Sequence, residues 1–179
     1  MSDIRYFLAE PSLEAIFGYW PFLLAIFLLY LASQFVQRRK LVRTPFAIMD
    51  GSNIMYWKDE RPDLSTVRAA IETVKSKGYV PIVWFDANVG YLVSNAYLGP
   101  VRLARTLGLN AQQVKVSPKG TPADPLILRM AQQRKALVVT NDRYRDWHND
   151  FPILRQGKVL VRGHFARGRV HLKDMPSLK

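Results

Sequence analysis

From Ala15 to Val36 the chain reads AIFGYWPFLLAIFLLYLASQFV, 22 residues without a charge. No other stretch restricts the fold as much. A helix over this run would span roughly 33 Å, enough to cross a hydrocarbon core of about 30 Å. Tyr19 and Trp20 fall where an interfacial aromatic belt would lie, and Pro21 sits early enough to be tolerated. Arg38, Arg39, Lys40 and Arg43 follow at once, whereas Asp3, Glu10 and Glu14 outnumber Arg5 ahead of the run. The positive-inside rule then places the N-terminus outside and the remainder in the cytoplasm. A cleaved signal peptide is disfavoured, because the run is long, the leading residues are acidic and no small-residue cleavage site follows. The expected organisation is an extracytoplasmic segment over 1–14, a single transmembrane helix over 15–36, a basic juxtamembrane linker over 37–44 and one domain over 45–179.

Beyond the linker the composition is that of a soluble domain. The whole chain carries 26 Lys+Arg against 14 Asp+Glu, a formal net charge of +12, which favours an anionic partner, nucleic acid or lipid headgroups. Cysteine is absent, so disulfides, Cys-ligated zinc and thiol catalysis are excluded. Four short apolar runs alternate with longer segments of helical period: FAIM (46–49), YVPIVWF (79–85), QVKVS (113–117) and ALVVT (136–140). Asp63 can cap a helix with apolar positions Leu64, Val67, Ala70, Ile71 and Val74 that ends near Gly78. Thr121 can cap another, with Pro122 in its first position. Residues 88–108 read as loop then helix, and 157–172 as a closing pair of short strands. Such alternation indicates βαβ units and a mainly parallel sheet.

In an open α/β sheet, ligands lie outside the carboxyl ends of the strands. Asp50 ends the first strand, Asp86 the second and Asp142 the fourth, with Asp146 four residues on; Asp124 opens the helix after the third. Clustered carboxylates repel one another, so a shared rim implies a hard cation such as Mg²⁺ or Mn²⁺. Such an ion would activate a water and stabilise charge on a phosphoryl group. Structural roles compete with this reading. Asp50 and Ser52 suit a turn or cap, Asn53 a cap, Asp86 a turn, and Asp146 could pair with Arg143 or Lys135. Asp142 has no evident structural need. Lys119, Arg143 and Arg145 are placed to meet phosphates. Arg155, Lys158, Arg162, Arg167, Arg169 and Lys173 form a basic series with no acid between Asp150 and Asp174.

IMDGSN (48–53), ADPLILRMA (123–131) and VVTNDRYRD (138–146) together resemble the motifs of NYN domains in the PIN-like nuclease superfamily, nearest to the Regnase-type ribonuclease domain. The resemblance covers roughly residues 45 to 172. It implies a three-layer α/β/α fold with a mainly parallel sheet, here preceded by the transmembrane helix. It also implies metal binding by Asp50, Asp124, Asp142 and Asp146, and catalysis by these four with Asn53; the family pattern demands no acid at Asp86, which with Ser52 stands as an auxiliary candidate at the rim. The family's third motif often pairs two aspartates, whereas Asp124 stands alone between Ala123 and Pro125. The expected function is a membrane-anchored endoribonuclease dependent on Mg²⁺ or Mn²⁺, with RNA held by Lys119, Arg143 and Arg145, and with a homodimer as an option. The alternative is a non-catalytic PIN-like module that holds RNA or a protein at the membrane. A small-molecule phosphohydrolase is a third reading, disfavoured by the extent of the basic surface.

Overall fold

The computed structural model describes residues 13–178, and the chain divides into two units, Met1–Arg43 and Thr44–Lys179. In the first, helix α1 (Leu13–Arg43) contains Pro21. Its described side chains, residues 19–34, are exposed apart from half-buried Gln34. Among the described residues no helix is long and apolar enough to cross a membrane. The transmembrane helix expected over 15–36 is therefore not supported, nor is the single-pass membrane localisation with a cytoplasmic domain that depended on it. Most of the expected segment 1–14, and the side chains of Arg38, Arg39, Lys40 and Arg43, lie outside the described residues.

The second unit runs β1 (Phe46–Asp50), α2 (Gly51–Ile54), α3 (Leu64–Ser76), β2 (Val80–Phe85), α4 (Val89–Ser94), α5 (Pro100–Leu107), β3 (Val114–Val116), α6 (Asp124–Arg134), β4 (Leu137–Val139), β5 (Leu160–Val161), β6 (Gly163–Ala166) and β7 (Arg169–Leu172). Five strands form one parallel sheet in the order β3-β2-β1-β4-β5, with Ile48 opposite both Ile82 and Val138. Successive side chains on a strand face opposite ways, and here both faces are buried. Ala47, Met49, Val83, Phe85 and Val139 join one apolar cluster with α3 and α5. Ile48, Ile82 and Val138 join another with Ile127, Leu128 and Ala131 of α6. The result is a three-layer α/β/α sandwich.

Asp63 caps α3 by accepting a hydrogen bond from the Ser65 amide at 2.7 Å. Val67, Ala70, Ile71 and Val74 then bury one stripe of that helix against the sheet. Each large aliphatic side chain buried in this way is worth about 1.5–3 kcal/mol. Three local expectations need correction. Helix α6 begins at Asp124, with Pro125 in its first turn, rather than at Thr121. Thr121 donates its amide to the Pro118 carbonyl in a preceding turn, and the Ala123 amide is held by Asp86. Residues 88–108 hold two helices, not one. The closing segment supplies a fifth parallel strand, β5 on β4, before the antiparallel pair β6-β7.

Candidate functional site

Strand order reverses between β1 and β4: from β1 the chain winds outward through β2 and β3, then returns to place β4 on the opposite side. A crevice outside the carboxyl ends of the strands at such a switch point is where open α/β sheets bind ligands. Asp50 stands there at the end of β1. It is only 5% exposed. One carboxylate oxygen accepts from the Asn53 amide at 3.0 Å, while the other accepts from the Thr140 hydroxyl at 3.0 Å and the Tyr144 hydroxyl at 3.2 Å. Burial pushes its pKa from 3.8 up to about 6, against the hydrogen bonds from Asn53, Thr140 and Tyr144, with the charge of Asp124 adding a further upward push. The same burial, with the negative charge of Asp50, holds the Tyr144 phenol far above its usual range, so it stays a donor.

Asp142 has a local structural role, contrary to the sequence expectation. Its side chain accepts from the Tyr144 amide at 2.7 Å, and its own amide donates to the Thr140 hydroxyl at 3.0 Å. This pair of side-chain turns suits the left-handed backbone of Tyr144, at φ 50°. Asn53 also builds structure. Its side-chain oxygen accepts from the Trp57 indole at 2.8 Å and the Asn141 amide at 2.9 Å. Asn141 in turn donates to the Gly163 carbonyl at 2.8 Å and accepts from the Gly163 amide at 3.1 Å, fastening the β6-β7 pair. The Ser52 hydroxyl accepts from the Asp86 amide at 2.9 Å, and Asp86 accepts from the Ala123 amide at 3.1 Å, joining the end of β2 to the start of α6.

Asp124 opens α6 half-buried. Burial raises its pKa, as does repulsion from Asp142, while a hydrogen bond from Trp147 opposes them; Asp86 and Asp146 add smaller upward pushes. The five aspartates therefore share one electrostatic neighbourhood. They do not converge on a common point. Among the described residues no group of three or more His, Cys, Asp or Glu side chains could hold a metal ion. Both oxygens of Asp50 accept from Asn53, Thr140 and Tyr144 instead, and one oxygen each of Asp86 and Asp142 accepts from the amides of Ala123 and Tyr144. A Mg²⁺ or Mn²⁺ site does not fit this arrangement, and the expected metal-dependent endoribonuclease is not supported. Among the described residues no helix could anchor the chain, so membrane as a partner is not supported, and neither is the expected homodimer.

Lys119, Arg143 and Arg145 are all exposed at this rim. The ion pairs of the described residues lie elsewhere, on Lys58 with Asp59 and Asp63 and on Lys75 with Glu72. Sequence reasoning missed Thr140, Tyr144 and Asn141. A threonine closing a buried strand is a weak signal, and the tyrosine was legible only as the residue two after Asp142.

The family described as Zc3h12a-like Ribonuclease NYN domain matches residues 44–176. The crystal structure of nuclear proteinaceous RNase P 2 from A. thaliana is similar at 24% identity and a TM-score of 0.56, covering 81% of this chain and 33% of that one. A second structure of the Arabidopsis thaliana nuclear protein-only RNase P 2 matches at 21% identity and a TM-score of 0.49, covering 94% of this chain and 38% of that one. The chain thus spans about a third of the length of these proteins, and the likeness is one of fold, PIN-like α/β/α. No curated protein matches the sequence.

Proposed function

The chain belongs to the Zc3h12a-like ribonuclease NYN domain family, and from that premise we propose that its second unit binds RNA without cutting it. The observation that carries this reading is the pairing of two features at one switch-point crevice. Exposed Lys119, Arg143 and Arg145 offer cationic contacts, while Asp50 is held by protein donors and the acidic side chains form no metal-holding group among the described residues. Phosphates are attracted by lysine and arginine regardless of base sequence, and that attraction weakens steeply with salt. Asp50 is buried with both oxygens held by protein donors, and among the described residues the acidic side chains form no group that could hold a metal ion. The crevice therefore holds a strand in place and supplies no cleavage chemistry of its own. Arg167, Arg169 and Lys173, all exposed, extend the basic surface. Arg155 and Arg162 are engaged by backbone carbonyls, of His148 and Asn149 and of Asn141 respectively.

Binding of a labelled single-stranded RNA to the full chain, followed by anisotropy across salt concentrations, tests this. Affinity should fall with salt, and each of Lys119→Ala, Arg143→Ala and Arg145→Ala should reduce the logarithmic slope by about 0.7. The RNA should remain intact with Mg²⁺ or Mn²⁺ present. Cleavage that depends on divalent ions and vanishes in Asp50→Asn would refute the non-cutting half of the proposal. Absence of salt-dependent binding would refute the other half.

A further inference from the structure

A second recess opens at the same rim, beyond the ends of β2 and β3. It is a cavity of about 480 Å³ lined by Asn88, Tyr91, Tyr97, Pro100, Ser117 and Lys119, among others. That volume falls in the range of about 300–1,000 Å³ typical of small-ligand sites. Two aromatic rings line it while remaining largely in solvent, Tyr91 and Tyr97, each 59% exposed. Tyr91 is carried by α4, which ends at Asn95 in the left-handed conformation, φ 55°. Tyr97 lies on the turn that follows. Gly90 holds the two together, because a Cβ there would come within 2.3 Å of the Ala96 carbonyl oxygen and the Leu98 amide nitrogen. Only glycine lets that turn lie against α4.

The polar groups are as telling as the rings. Ser117 is 3% exposed, and its hydroxyl oxygen is buried without a hydrogen-bond partner among the described residues. A buried hydroxyl left unsatisfied is costly unless a ligand completes it. Lys119 lies two residues on, at the mouth, and is one of the three cations placed on RNA phosphates above. Asn88 adds an exposed amide able to donate and accept. Exposed aromatic faces, a hydrophobic wall, an amide, an orphan hydroxyl and a flanking cation are the chemistry that recognises one unstacked base and its phosphate.

We infer that the cavity formed by Tyr91, Tyr97, Asn88 and Ser117 is a base-binding pocket that takes one splayed nucleobase of the RNA held by Lys119. The tyrosine faces stack on the base, and the Ser117 hydroxyl meets a polar atom on its edge. This inference rests on the RNA-binding reading, so its test must separate the two. The full chain is titrated with a labelled oligoribonucleotide and with an oligomer of the same length and charge that lacks bases. The intact oligomer should bind about tenfold or more tightly than the abasic one, as stacking on an aromatic side chain allows. Tyr97→Leu and Tyr91→Leu should each remove most of that advantage and leave abasic binding and its salt slope unchanged. Both side chains are exposed, so neither variant threatens folding. Ser117→Ala, which breaks no hydrogen bond in the free protein, should alter the ranking among poly-U, poly-A and poly-C oligomers. Equal affinity for intact and abasic oligomers, with neutral tyrosine variants, would overturn the pocket and leave backbone-only RNA binding standing. Failure of both oligomers to bind at low salt would overturn RNA binding and the pocket with it.

Discussion

Asp50→Asn provides a quantitative test of the buried carboxylate. Burial raises the pKa of Asp50 from 3.8 to about 6 in the folded protein. A tenfold change in an acid's dissociation constant corresponds to about 1.4 kcal/mol. Because the folded-state pKa is the higher one, this group's contribution to stability is fully present below pH 3.8. It is lost as pH rises through about 6. By pH 7 the ionised, buried Asp50 has cost the native state about 3 kcal/mol relative to its protonated form. An asparagine resembles that protonated form in shape and carries no charge. Its amide must face the Thr140 and Tyr144 hydroxyls, which can turn to accept, at a penalty on the order of 1 kcal/mol. The variant should therefore be more stable than the parent by about 2 kcal/mol at pH 7, with the advantage shrinking toward zero or reversing near pH 4. Urea unfolding of both chains at pH 4, 5, 6 and 7 measures this, and every other titrating group is common to the two proteins. Unchanged urea m-values would show that the native and denatured states keep their compactness. A stability difference that does not change with pH, or a variant less stable at pH 7, would refute the claim that burial dominates at Asp50.

Tyr144→Phe deletes a hydroxyl that donates to Asp50; it should lower stability at pH 7 by about 1–3 kcal/mol and by less at pH 5, where Asp50 is mostly protonated, as chemical unfolding at the two pH values would show. Gly51→Ala would bring a Cβ to 2.4 Å from the Phe85 ring; since that ring is fully buried, a loss of about 1–3 kcal/mol is expected in thermal or urea melts. Asn141→Ala removes both side-chain hydrogen bonds to the Gly163 backbone. It should cost about 1–3 kcal/mol, and amide hydrogen exchange should quicken first over Gly163–Ala166. Uniform quickening across β1 would argue against a local role for that residue.

Periodicity alone determined much of this domain. The runs 46–49, 79–85, 113–117 and 136–140 become β1 to β4, the central three buried on both faces and the edge strand β3 burying Val114. Asp63 and the stripe from Leu64 to Val74 define α3 through local capping and a 3.6-residue repeat. The motif IMDGSN likewise located the end of β1, and the three motifs together pointed to the family. These are short-range signals, and the chain cannot avoid them. The fifth strand was not legible, since Leu160 and Val161 form a strand only because β4 offers an edge. Nor was the start of α6, which is set by Asp86 from 37 residues away.

Tertiary structure alone decided what the aspartates do. Composition and order showed that carboxylates would gather at one rim, and their mutual repulsion in the folded protein agrees. Whether gathered carboxylates form a metal cage depends on where each lone pair points, which is set by donors far away in sequence. Thr140 and Tyr144 reach Asp50 across 90 and 94 residues. Asn53 reaches Asn141 across 88. No pattern in a linear sequence encodes a direction, so the residue types suggested a cation where the geometry supplies hydrogen-bond donors.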